Sequence, residues 1–243
     1  MAEVSIGRAN RAEYVMEHRA AVVIGGGAGT GRHVVRQLAA QGVLVEVWGH
    51  GEAPLAQAVA DGDAVSFQVV DVGNPDTIYA AGIRAASADI PPTLVVHTAG
   101  IWTPGDLAEV TPEKVGTHLA VVVAGSVHIA RMSLALFGDG PGHLVQIAAA
   151  SAKPGFGDTA LNKLAKRALD GLQEGLAKEL RDTSIRVSSI YPNAIAAPGS
   201  EAVLEGTAMS HSDVASAILF AVNAPESMDV DELVLTARRT GRW

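Results

Sequence analysis

The chain contains no cysteine, which excludes disulfides, thiolate nucleophiles and thiolate metal sites and leaves its redox compartment open. Aromatic residues make up only 4% of its 243 positions, and tyrosine occurs only at 14, 79 and 191, so a phenol is a scarce group here. Basic side chains are outnumbered, 18 Lys and Arg against 26 Asp and Glu; the net charge of -8 argues against nucleic acid or an anionic membrane as a partner. The eight histidines are scattered without metal-ligand spacing, and no metal site is expected. Residues 1–19 are polar and charged and lack the apolar run of a secretory signal or a membrane helix, so a cytoplasmic location is expected by default.

What is present is a large apolar fraction, 48%, spread through alternating strand and helix patterns without a linker. One domain over 20–243 is expected, preceded by an extension over 1–19 that is either a loose tail or a short docking helix in RAEYVMEHR. Strands are expected near 20–24, 43–48, 64–70, 93–97, 143–148, 184–190 and 232–236. The alternation implies an α/β, doubly wound parallel sheet of about seven strands with helices on both faces. Two long helices, 112–137 and 159–181, carry more apolar residues than one sheet face would bury.

After the apolar run AAVVI comes Gly25-Gly26-Gly27-Ala28-Gly29-Thr30-Gly31, followed by the helical pattern RHVVRQLAAQG. A glycine cluster alone marks many ordinary turns. Between a strand and a helix, however, glycines let the backbone approach a pyrophosphate at a helix N-terminus. Further along stand Asp71-Val72, His97-Thr98-Ala99-Gly100, the segment IRVSSIYPNAI, and Lys166-Arg167-Ala168-Leu169-Asp170-Gly171-Leu172. With these landmarks in order from Ala20 to about Arg238, the chain resembles the short-chain dehydrogenase/reductase family of Rossmann-type proteins.

The resemblance implies a dinucleotide held by Gly25, Gly29, Thr30 and Gly31, by Asp71 and Val72 at the adenine, by Ala99 and Gly100 after the fourth strand, and by Lys166 at the nicotinamide ribose. The second strand ends Val47-Trp48-Gly49-His50, with no carboxylate to repel a 2′-phosphate and with His50 where an arginine is usual. NADP(H) is therefore favoured, and NAD(H) stays open. In the family the two long helices pair with those of a partner, which implies a homodimer or homotetramer.

At the catalytic positions the resemblance fails. Tyr-x-x-x-Lys places a phenol and an ammonium on one helical face, but here Asn162 precedes Lys166. An amide exchanges no proton in the useful pH range. Ala149 takes the position of the serine and Val122 that of the asparagine, so of four catalytic positions only Lys166 persists. Tyr191, Asp158 and Ser151 are the candidates for a replacement group, with Asn162 itself lining the pocket; Lys153, Trp102 and His118 stand nearby in sequence. Several have a structural alternative: Tyr191 as a packed strand-end aromatic, Asp158 or Thr159 as a helix cap, and His118 as a solvated or packed histidine, while His97 reads as a strand-end hydrogen-bonding group.

Three functions fit this pattern. One is a cofactor-retaining enzyme that handles a small carbonyl or hydroxyl compound by a redox-neutral dehydration, isomerisation or cyclisation. Another is a carbonyl reductase or alcohol dehydrogenase with a rewired proton donor. The last is a catalytically silent binding or subunit-stabilising protein. Fold does not choose among them.

Overall fold

The computed structural model describes residues 19–196, 200–225 and 227–239. The extension over 1–19, read as a loose tail or a docking helix, lies outside the described residues apart from Arg19, as does Ala197, where a family threonine would meet nicotinamide.

Strand β1 (Ala20–Ile24) is buried along its whole length, as its unbroken apolar run requires. It is followed by α1 (Gly29–Ala39), β2 (Leu44–Gly49), α2 (Glu52–Ala60), β3 (Ser66–Val69), α3 (Pro75–Ala86) and β4 (Leu94–His97). The second half runs α4 (Pro112–His118), a π-helical turn (Leu119–Ala124), α5 (Gly125–Phe137), β5 (Gly142–Ile147), α6 (Ala160–Glu179) and β6 (Ile185–Pro192). It closes with β7 (Ile195–Ala196), α7 (Glu201–Leu204), β8 (Met209–Ser210), α8 (His211–Val222) and β9 (Glu232–Leu235). Seven strands form one parallel sheet in the order β3-β2-β1-β4-β5-β6-β9, while β7 and β8 make a separate two-residue ladder that the alternation pattern had not indicated.

Each face of the sheet carries its own core. On one side Val34, Val35 and Leu38 of α1 and Val214, Ile218 and Leu219 of α8 cover Val23, Val47 and Val96. On the other, Ile78 of α3, Ile129 and Met132 of α5 and Leu176 of α6 cover Val22, Val95 and Leu144. The expected strands all form, with ends shifted by a residue or two, since strand ends depend on pairing as well as on the run of side chains.

Local chemistry fixes the helix starts. Asn74 accepts from the Asp76 amide at 3.0 Å ahead of Pro75, and Ser210 and Asp213 close a capping box on α8. The expected helix over 112–137 is continuous but not uniform, because the π turn interrupts it at Val122. A β-carbon on Gly125, just after that turn, would lie 2.4 Å from the Val72 carbonyl oxygen, so glycine is what lets the helix approach the end of β3. Although long and apolar enough by composition to cross a bilayer, this helix lies across the sheet beside α3 and α6. The strands' C-terminal ends, the glycine turn, the π turn and the start of α6 thereby meet along one edge of the sheet.

Candidate active site

The glycine turn has the geometry of a phosphate cradle. Gly25 and Gly29 hold φ of 85° and 52°, a region that side chains disfavour. A β-carbon at Gly31 would lie 2.2 Å from the Gly25 carbonyl oxygen and 2.5 Å from Thr98 Oγ1; one at Gly25 would lie 2.6 Å from the same Oγ1. Thr98 is fixed there by donating to the Ile24 carbonyl at 2.9 Å, and the Gly25 amide donates to Trp48 O at 2.8 Å. α1 begins with no side-chain cap and no acid in its first turn, which leaves its first amides available to an anion. Thr30 is buried, and its hydroxyl pairs with His211 Nδ1 at 3.0 Å.

Beside the cradle, His50 stands exposed just past β2. Glu46, the acid within that strand, is held by Ser66 at 2.9 Å and by Trp48 and Gln68, so it is not a ribose ligand. Asp71 is exposed, with Oδ1 accepting from the Gly73 amide at 2.9 Å, and Val72 is buried next to it. Ala99 and the exposed Gly100 continue the rim, and Lys166 Nζ lies 4.0 Å from where a Gly100 β-carbon would stand. The cofactor residues expected from the sequence are therefore brought to one strip of surface. They fit a dinucleotide: the loop has no room for β-carbons, and the ammonium stands at its far end.

Lys166 is half-buried on α6, and no hydrogen bond joins its ammonium to the described residues. Burial lowers its pKa to about 8 against the opposing pull of Asp158. Two buried histidines feel the same charge. His97 Nε2 pairs with Ser126 Oγ at 3.1 Å, and burial followed by Lys166 lowers the His97 pKa to about 3. Ser126 itself donates to Val122 O at 2.7 Å, so His97 carries its hydrogen on Nε2 and its unpaired Nδ1 is bare. His118 is fully covered, with Nδ1 paired to Thr103 Oγ1 at 2.9 Å and Nε2 unpaired; burial and then Lys166 lower its pKa, against Asp158.

Asn162 lies one helical turn before Lys166 on α6, and its amide points into a structural lock. Oδ1 accepts from the Thr103 amide at 3.1 Å; Nδ2 donates to Thr103 O at 2.8 Å and to Thr159 Oγ1 at 2.6 Å. It is almost wholly buried, as is Val122, and Ala149 offers no hydroxyl. The partner of this lock, Thr103, carried no sequence signal, because nothing in a loop residue announces that its backbone will be held by a side chain 59 positions away.

Tyr191 is corrected from catalytic candidate to core residue. It is fully buried, its hydroxyl donates to Asp170 Oδ1 at 2.9 Å, and Lys153 Nζ sits 4.1 Å above its ring. Burial, with Asp170 and Glu232, pushes its acidity far out of reach of neutral pH. Lys153 is also withdrawn. Burial opposes its charge, but ion pairs of 2.6 Å to both Asp170 and Glu232 outweigh this and raise its pKa. Ser151 is buried with its hydroxyl unpaired. Asp158 stays exposed at the start of α6, accepting from the Thr159 amide at 2.8 Å and from the exposed Trp102 at 3.4 Å. A cavity of about 700 Å³ lies elsewhere, around Ser184, Ile185 and Arg186, where β6 begins.

A family model described as enoyl-(acyl carrier protein) reductase matches residues 25–235. The chain is a member of the short-chain dehydrogenase/reductase family. An uncharacterised oxidoreductase of Staphylococcus epidermidis is 26% identical over 231 residues, covering 90% of this chain and 97% of that one. Among solved structures, an alcohol dehydrogenase of the archaeon Thermococcus sibiricus, complexed with 5-hydroxy-NADP, superposes with a TM-score of 0.83 at 18% identity, over 92% of this chain and 98% of that chain. A short-chain dehydrogenase of Burkholderia cenocepacia, in complex with NADP, gives 0.80 at 24% identity over 89% and 96%. This short-chain dehydrogenase/reductase has a seven-stranded parallel sheet and a glycine turn before α1, with Asn162 one helical turn before Lys166 on α6.

Proposed function

We propose that the protein binds NADP(H) along the glycine turn, with Lys166 at the nicotinamide ribose, and transforms a small carbonyl or hydroxyl compound by a redox-neutral step such as dehydration, isomerisation or cyclisation. The observation that carries this reading is the lock on Asn162. Hydride transfer to a carbonyl needs a matched acid at the oxygen that takes up charge. The residue at that position has no titratable proton and has both ends of its amide engaged with Thr103. Lys166 is the remaining acid–base group, and a pKa of about 8 keeps it mainly charged at neutral pH with a usable basic fraction. A bound nicotinamide cofactor would supply the redox capacity that defines the family, and Gly25, Gly29, Gly31 and Lys166 would hold it.

NADP(H) is preferred over NAD(H) because no carboxylate ends β2 and His50 stands at that edge. The NADP compounds in the Thermococcus and Burkholderia relatives are consistent with this preference. A homodimer or homotetramer through α4–α5 and α6, in the cytoplasm, belongs to the same reading; Val127 and Leu164 are exposed on these helices.

The test is to incubate the cofactor-loaded protein in deuterated water with a panel of small ketones and β-hydroxy carbonyl compounds. Deuterium incorporation or water loss at constant nicotinamide absorbance, abolished in Lys166→Met, is expected. Steady NADPH oxidation by a ketone would instead favour a reductase with a rewired donor. That second reading draws on the attraction between Asp158 and Lys166, which favours the protonated lysine as the donor and leaves water at the exposed rim to restore its proton.

A further inference from the structure

His211 is the first residue of α8, far from the glycine turn in sequence, yet its ring lies on that turn. Its Nδ1 pairs with Thr30 Oγ1 at 3.0 Å. The ring atoms Cε1, Nδ1 and Nε2 lie 3.3, 3.6 and 3.8 Å from where a Gly29 β-carbon would stand, so the imidazole occupies the space beside the αL glycine of the cradle. His33, one turn into α1, stacks against it with ring centroids 6.4 Å apart and planes 18° from parallel. Both rings are half-buried. Two helices, α1 and α8, therefore begin side by side, and a histidine pair spans the gap between them.

We propose that His211, backed by His33, is a cofactor-positioning residue whose imidazole takes up a proton when the dinucleotide pyrophosphate enters the glycine turn. The inference rests on the dinucleotide reading above and adds a residue and a proton to it. The charged and titratable neighbours are few. His33 faces His211 from α1, and on its own helix Asp213 is engaged with the Ser210 amide at 2.8 Å. Arg32, also on α1, is consumed by Asp61 at 2.8 Å and Asp63 at 2.6 Å. In the free protein, burial and then the neighbouring His33 hold His211 below its ordinary pKa, which favours the neutral ring. An anion in the turn reverses the balance and favours the imidazolium. Protonated, His211 donates from Nδ1 to Thr30 and keeps Nε2–H as a second donor.

Calorimetric titration with NADH tests this, because its pyrophosphate does not titrate between pH 6 and 8 whereas the 2′-phosphate of NADPH does. Titrations at pH 7 in two buffers of different ionisation enthalpy read the protons taken up on binding. The wild-type protein is expected to take up a measurable fraction of a proton and to bind about threefold more tightly at pH 6 than at pH 8, where one unit of pKa change corresponds to about tenfold. His211→Asn keeps an acceptor for Thr30 and should bind with clearly reduced uptake and a flatter pH response, the remainder belonging to Lys166, at unchanged thermal stability. Uptake undiminished in His211→Asn, or binding by the wild type without uptake, overturns the proposal. If neither protein binds NADH or NADPH, the dinucleotide reading falls with it.

Discussion

The side chain of Asn162 bonds both the amide and the carbonyl of Thr103, at 3.1 and 2.8 Å, and so stitches the loop after β4 to the first turn of α6. Asn162, one helical turn before Lys166, is the pin of that loop. The same loop residue uses its hydroxyl to hold His118, so the pin, the loop and the buried imidazole form one connected unit.

Asn162→Ala leaves both Thr103 backbone groups buried without partners. Each such group costs about 1–3 kcal/mol, and a loss of roughly 2–4 kcal/mol in urea unfolding is expected. Asn162→Tyr should be similarly costly and should not by itself create ketone reduction, because the ring must displace Thr103. A stable, reductively active Asn162→Tyr would show that the loop yields freely.

Tyr191→Phe removes a buried hydroxyl from Asp170. About 1 kcal/mol of stability should be lost, with cofactor affinity and any turnover unchanged. A selective loss of turnover at full stability would return Tyr191 to the catalytic group.

Lys166 is a half-buried cation without a hydrogen-bonded partner among the described residues. Lys166→Met should raise the midpoint of thermal unfolding by a few degrees, as removal of strained functional groups does, while weakening dinucleotide binding at least tenfold. Its pH signature follows from the lowered pKa. Between about 8 and the ordinary 10.5 the unfolded chain holds a proton that the folded one has released, so this group makes stability rise with pH across that window.

His97 works at the acid end. In the unfolded chain it is protonated as pH falls through its ordinary 6.5, whereas the folded protein resists until about 3. Its contribution to stability is complete above 6.5 and is lost progressively as pH falls below it. Urea unfolding at pH 7 and pH 5 should show a smaller drop for His97→Gln than for the wild type.

Much of this was legible in the chain. The buried strand AAVVI, the glycine spacing and the alternation of patterns lead to the seven-stranded parallel sheet, because burial and glycine φ are imposed locally. That an asparagine, and no phenol, stands four residues before Lys166 was equally plain. What the chain did not disclose are side-chain partnerships formed across the fold: Thr103 on Asn162, His211 on Thr30, and Asp170 on Tyr191. Tyr191 could be weighed only as either a strand-end core ring or a proton donor until Asp170, one turn beyond Lys166, proved to be its acceptor. Lys153 next to the fifth strand looked available, and two carboxylates from distant elements claim it.

The most direct measurement is an equilibrium titration of the purified protein with NADPH and with NADH, repeated for Gly31→Ala. A β-carbon there would stand 2.2 Å from the Gly25 oxygen, so the cradle must open to accept it. Micromolar binding of NADPH, weaker binding of NADH and loss of both in Gly31→Ala are the expected results. No binding of either nucleotide by the wild-type protein at millimolar concentration would mean that the glycine turn is inherited architecture, and would contradict a cofactor-dependent function.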